Sequence, residues 1–97
     1  MDMIVAMMEQ SGRDALDLND LLIFASVADL GSFSRAADRM GLPKSTVSRR
    51  LAALEQRLGE RLLLRTTRRQ TLTEFGRELL DHARQVALEV QAVTALS

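Results

Sequence analysis

The stretch that most constrains the fold is Ser34 to Gly59, SRAADRMGLPKSTVSRRLAALEQRLG, whose spacing predicts two short helices joined by a tight turn. On a helix advancing about 100° per residue, Ser45 to Leu58 gathers Val47, Leu51, Leu54 and Leu58 into one narrow apolar stripe. That stripe is a core face. The opposite meridian carries Ser45, Arg49, Ala52 and Gln56, with Thr46, Ser48 and Ala53 at its flanks. Taken alone, such a face reads either as an ordinary solvated surface or as one that enters a DNA major groove. A groove about 12 Å wide admits a helix only if its outward side chains are small or donate to base edges. Ser, Thr, Arg, Ala and Gln all meet that condition.

Charge separates the two readings. The chain is neutral overall, but the charge is unevenly placed. Met1 to Ser34 has one basic residue against six acidic, −5; Arg35 to Arg69 has ten basic against three acidic, +7; Gln70 to Ser97 has two against four, −2. One third of the chain holds the whole positive field, the pattern of a domain that neutralises phosphates.

In chain order, residues 1–17 show no clear period and are expected to form a flexible, frayed or loosely helical extension. Asp2 and the short run MIVAMM do not make a secretory signal. No run approaches the ~18 apolar residues of a membrane span. Leu18 to Leu30 predicts a first core helix, with Leu21, Phe24, Val27 and Ala28 inward and Asp17 or Asn19 as its N-cap. Gly31 fits a left-handed stop and Ser32 can cap the next helix at once. That helix, Phe33 to Met40, turns Ala36, Ala37 and Met40 inward. Gly41, Leu42 and Pro43 then make the turn, with an apolar residue inside it, which is a helix-turn-helix in physical terms.

Beyond Gly59, Arg61 to Arg65 and Gln70 to Thr73 are short β-like runs around the polar tip Thr66-Thr67-Arg68-Arg69, predicting a small hairpin. Beside a DNA-reading helix it reads as a wing, with Arg68 entering the minor groove and Arg69 or Arg65 meeting phosphate; otherwise it is a solvated basic loop. Thr73 caps a last helix with Glu74 in its first turn, and Glu74 to Leu96 spans roughly 35 Å at ~1.5 Å per residue. Its stripe of Phe75, Leu79, Ala83, Val86, Val90 and Val93 is longer than a small core can cover. The excess is expected to pack on a second copy, or to fray beyond about Val90.

Other functions find little support. The chain has no Cys and a single His, His82, which reads as structural or surface; neither a metal site nor a Gly-rich phosphate loop is expected. Three Phe, with no Trp or Tyr, make no base-stacking platform. The chain is expected not to be an enzyme and to use no cofactor, and the lack of Cys fits a reducing, cytoplasmic compartment. A protein-interaction module whose long helix only dimerises stays as the alternative, distinguished by failure to bind DNA at low salt.

The order of parts, with GSFSRAA, STVSRRLAALEQRLG and RTTRRQTLTEFG in combination, resembles the N-terminal DNA-binding domain of LysR-type bacterial transcriptional regulators from about Leu18 to about Val93. The resemblance implies a mainly α fold: a winged helix-turn-helix over residues 18–73, with a three-helix core and a β-hairpin wing, then a linker and dimerisation helix over residues 74–97. It implies a homodimer that binds an interrupted palindrome in double-stranded DNA. Base-reading positions carry over to Lys44, Ser45, Thr46 and Arg49, backbone contacts to Ser32, Ser34, Arg35, Ser48 and Arg50, and the wing arginine to Arg68. The dimer helix would use Leu79, Ala83, Val86, Val90 and Val93. Lys44 stands where many members have Gln and Arg69 where many have Gly, so base preference and wing-turn geometry do not carry over there. Full-length members continue into an effector-sensing domain, and no small-molecule effector is expected to bind these residues.

Overall fold

The structure, a computed structural model, describes residues 3–6, 16–66 and 69–97. Residues 3–6 make a helical turn. The ordered architecture is α1 (Leu18–Leu30), α2 (Phe33–Met40), α3 (Lys44–Leu58), β1 (Leu63–Arg65), β2 (Gln70–Leu72) and α4 (Glu74–Ala95). The strands pair antiparallel, Leu63 opposite Leu72 and Arg65 opposite Gln70. This is a winged helix-turn-helix with a long C-terminal helix, as the sequence predicts.

Helix α1 sits at the centre, packed against α2, α3 and α4. Enclosure on several sides explains why Ile23 and Ala25 are buried along with Leu21, Phe24 and Val27, while Ala28 is only partly covered. A helix covered on several sides is not limited to a single stripe, so reading one face of α1 found only part of its core. Asp17 is the N-cap, its Oδ1 accepting from the Asn19 N–H at 2.8 Å. Residues 1–2 and 7–15 of the expected extension lie outside the described residues.

Ser32 Oγ accepts from the Arg35 N–H at 3.1 Å and starts α2. Gly41 ends it with φ 67°, which costs an L side chain steric strain but not glycine. The Leu42 N–H then closes on the Ala37 carbonyl at 3.0 Å, the six-residue closure of a Schellman stop. Pro43 is the N-cap of α3, so this helix begins at Lys44, one residue earlier than its apolar period suggests.

Helix α4 starts where the wing ends. Thr73 Oγ1 accepts from the Gly76 N–H at 2.9 Å and donates to the Arg61 carbonyl at 2.6 Å, tying the cap to the strand entry. Gly76 lies against the chain at Leu62: a Cβ there would sit 2.3 Å from the Leu62 carbonyl oxygen. Leu80 and Ala83 follow it into the core. Asp29 of α1 pairs with Arg84 of α4 at 2.5 Å, and this hydrogen bond, with the Asp29 charge, raises the guanidinium pKa above its ordinary value. Helix α4 continues through Ala95 with no break at Val90. Among the described residues no helix is long and apolar enough to cross a membrane.

The close approach at Gly76 makes a prediction of unusual sign. Gly→Ala within a helix ordinarily stabilises by about 1 kcal/mol. Here Gly76→Ala must displace backbone, and is expected to destabilise by about 1–3 kcal/mol, a fall in Tm of at least about 4 °C in thermal unfolding. A rise in Tm would contradict the packing.

Candidate DNA interface

Helix α3 anchors by Val47, Leu51 and Leu54, which are 0–3% exposed, with Leu58 partly buried. That anchoring leaves the other face open. Lys44, Ser45, Arg49, Ala52, Ala53 and Gln56 are exposed, and Thr46 and Ser48 are half-buried at its edges. The four expected base readers thus share the N-terminal half of one helix.

The helix termini are sorted by charge. Helices α1 and α4 carry an acid in the first turn, Asp20 and Glu74, whereas α2 and α3 carry none, and Pro43 gives α3 no side-chain cap. Amide N–H groups and the positive dipole end make an acid-free helix N-terminus receptive to phosphate. Exposed Ser34 and Arg35 lie in the first turn of α2, beside its cap Ser32.

The wing is held by one carboxylate that the sequence reading did not single out. Glu55 Oε2 accepts from the Leu62 N–H at 2.7 Å, the Leu63 N–H at 3.3 Å and Arg61 Nε at 3.4 Å. A reading-helix residue therefore fixes where β1 begins. The only sequence signal was an acid within the most basic third of the chain, too weak to find it. Gln70 Nε2 reaches the Val27 carbonyl at 3.4 Å from the other strand. At the tip, the Thr66 N–H donates to the Arg69 carbonyl at 2.8 Å and the Arg69 N–H to Thr66 Oγ1 at 3.0 Å.

The wing arginines occupy different situations. The Arg65 guanidinium lies 4.2 Å from the centroid of the Phe33 ring, a cation–π contact that links the wing to the start of α2. Arg69 is exposed, and Arg68 lies outside the described residues. Arg50, expected at the DNA backbone, pairs within the protomer with Asp20 at 2.7 Å and Asp17 at 3.0 Å.

The expected dimer helix divides in two. Ala83 is fully buried within its own chain and faces the core, so it is not available to a partner, and Leu79 packs partly on the same core. The expected stripe is one face that divides along the helix axis: Ala83 and Val90, seven residues apart, lie within about 20° of each other, yet Ala83 is buried and Val90 is open, while Gly76 and Leu80 are buried on the neighbouring face. Val86 is partly covered, Val90 and Val93 are 42% and 65% exposed, and with Leu18 they line an open apolar groove.

A helix-turn-helix with an exposed polar and basic second helix, acid-free helix N-termini and a basic wing defines a winged helix-turn-helix DNA-binding domain. Residues 18–77 match the bacterial regulatory helix-turn-helix proteins of the lysR family, and the chain belongs to that family. It is similar to an HTH-type transcriptional regulator of Xanthomonas campestris pv. campestris (strain 8004), 55% identical over 75 residues, 77% of this chain and 22% of that protein. It is also similar to a probable hydrogen peroxide-inducible genes activator of Mycobacterium xenopi, 50% identical over 78 residues, 80% of this chain and 41% of that protein. The chain thus spans well under half the length of these curated relatives. Among solved structures, the BenM DNA-binding domain in complex with catB site 1 DNA has a TM-score of 0.77 at 28% identity, covering 84% of this chain and 90% of that one. A hydrogen-peroxide-bound mutant of Corynebacterium glutamicum OxyR has a TM-score of 0.77 at 29% identity, covering 81% and 24%.

Removing the Glu55 carboxylate strands two part-buried amides. Glu55→Ala is expected to cost about 1–3 kcal/mol in urea unfolding, the penalty of unsatisfied donors. An unchanged midpoint would show that the carboxylate does not hold the wing.

Proposed function

We propose that the chain reads a specific double-stranded DNA sequence as a homodimer, each protomer placing α3 in the major groove of one half of an interrupted palindrome. The observation that carries this reading is the free face of α3, where Lys44, Ser45, Thr46 and Arg49 lie together at an acid-free helix start, opposite a fully buried stripe. Ser32, Ser34, Arg35 and Ser48 meet the sugar–phosphate backbone. On the wing, Arg68 enters the minor groove while Arg65 and Arg69 meet phosphate. The DNA in the BenM complex supports such a partner, because the two domains share fold and extent. Dimerisation uses the groove of Leu18, Val86, Val90 and Val93, which is open among the described residues. Binding needs neither cofactor nor metal, and the protein works in the cytoplasm as part of a transcriptional regulator, without catalysis.

The test is selection from random duplexes at two salt concentrations. Enrichment of an inverted repeat with half-site centres about one helical turn apart, and affinity falling steeply with salt, is the expected result. Retention without an enriched sequence would sink specific reading, and no retention at low salt would leave an interaction module. With the operator in hand, Arg49→Ala is expected to lower affinity by about 1–3 kcal/mol and to relax preference at one base pair, as loss of a bidentate contact to guanine does. Equal loss on all sequences would place Arg49 on the backbone.

The dimer face has its own check. Val90→Glu puts a charge on an exposed position and leaves the protomer core intact. Sedimentation should show a monomer with unchanged helical content; a dimer of wild-type affinity would move the interface elsewhere.

A further inference from the structure

We propose that Arg50 is a positioning residue that seats α3 on α1, and that it stays on its two carboxylates, off the DNA backbone, when DNA is bound. The inference rests on the reading of DNA by α3 and adds what fixes the angle at which that helix is presented.

Helix geometry is the first argument. Arg50 follows Arg49 by about 100° around α3, toward the flank shared with the core stripe and away from the open meridian. Its guanidinium is bound from two sides: Nε donates to Asp20 Oδ1 at 2.7 Å and Nη2 to Asp17 Oδ2 at 3.0 Å. The side chains of Arg50 and Asp20 are only 28% and 14% exposed. Swinging Arg50 out to a phosphate would leave Asp20 without this cation in a place largely withdrawn from water, which is costly.

Charge argues the same way. One guanidinium faces two carboxylates, so the cluster is net negative and repels phosphate. It is also continuous with the start of α1. The Asp17 carboxylate caps that helix through Oδ1, to the Asn19 N–H, while Oδ2 takes Arg50. Cap and reading helix therefore move as one unit. A base contact tolerates only about 0.5 Å or 10–20° of misplacement, so loosening this joint should erode discrimination between sequences more than attraction to DNA.

The experiment measures affinity of the full chain for its selected operator and for a scrambled duplex of equal length, across a salt series, for wild type, Arg50→Gln and Asp20→Asn. Both variants are expected to lower the operator-to-scrambled ratio at least about fivefold, the lower end of what a lost bidentate base contact costs. The slope of log affinity against log salt should stay at the wild-type value for Arg50→Gln. A slope flattened by about 0.9, the signature of one lost phosphate contact, would overturn the proposal, as would a wild-type ratio for Asp20→Asn. If Arg50→Gln does not fold, Asp20→Asn decides alone, because it keeps the shape and a neutral acceptor. Should wild type enrich no operator, the reading of DNA sequence fails, and the salt slope of Arg50→Gln on random duplex still reports whether Arg50 meets phosphate.

Discussion

Burial of Val47, Leu51 and Leu54 is the constraint on which the rest of the domain depends. These side chains join the cluster that includes Phe24 and Val27 of α1, and Phe24, Val27, Val47 and Leu54 are at most 1% exposed. Each such burial is worth about 1.5–3 kcal/mol against an exposed side chain, so the helix has one stable rotational setting. Because the buried stripe is narrow, that setting also determines which side chains face out. The open face of α3 is thus a by-product of core packing, and any change that loosened the core would blur it.

Around that helix the structure uses short polar joints where a small core has no spare apolar surface. Glu55 fastens the strand entry, Thr73 ties the start of α4 to Arg61, Gln70 reaches α1, and Asp29 pairs with Arg84. Most of these link elements distant in sequence. Their individual worth is modest, about 0.5–1.5 kcal/mol net for a typical hydrogen bond and about 0–1 kcal/mol for an exposed ion pair. Their effect is directional: they fix the wing and the helix termini relative to α3, while hydrophobic contact, being non-directional, does not.

The distribution of acids fits the same division of labour. Asp17, Asp20 and Glu74 complement the N-termini of helices away from the reading face, and α2 and α3 begin without acids. An acid at those two starts would stabilise the isolated helix slightly and repel a phosphate. The domain forgoes that local stabilisation where the backbone of a nucleic acid would lie. A neutral chain can therefore present a positive face.

Much was legible in the sequence because it depends on local rules. The spacing of Val47, Leu51 and Leu54 is set by helical period, Gly41 by the backbone angle its turn requires, and Ser32 and Thr73 by the amides a helix start leaves unpaired. The ten basic residues between Arg35 and Arg69 need no fold to be counted. What only the tertiary structure decided are pairings across the chain. Glu55 meets the strand entry, Gly76 lies against Leu62, Arg65 stacks on Phe33, and Arg50 pairs with Asp17 and Asp20. The apolar stripe of α4 divides into a covered and an open part only once the core is in place to bury Leu80 and Ala83 and leave Val90 and Val93 open. Periodicity shows that a helix has an apolar side; only the neighbours that pack on it show how much of that side remains for another molecule.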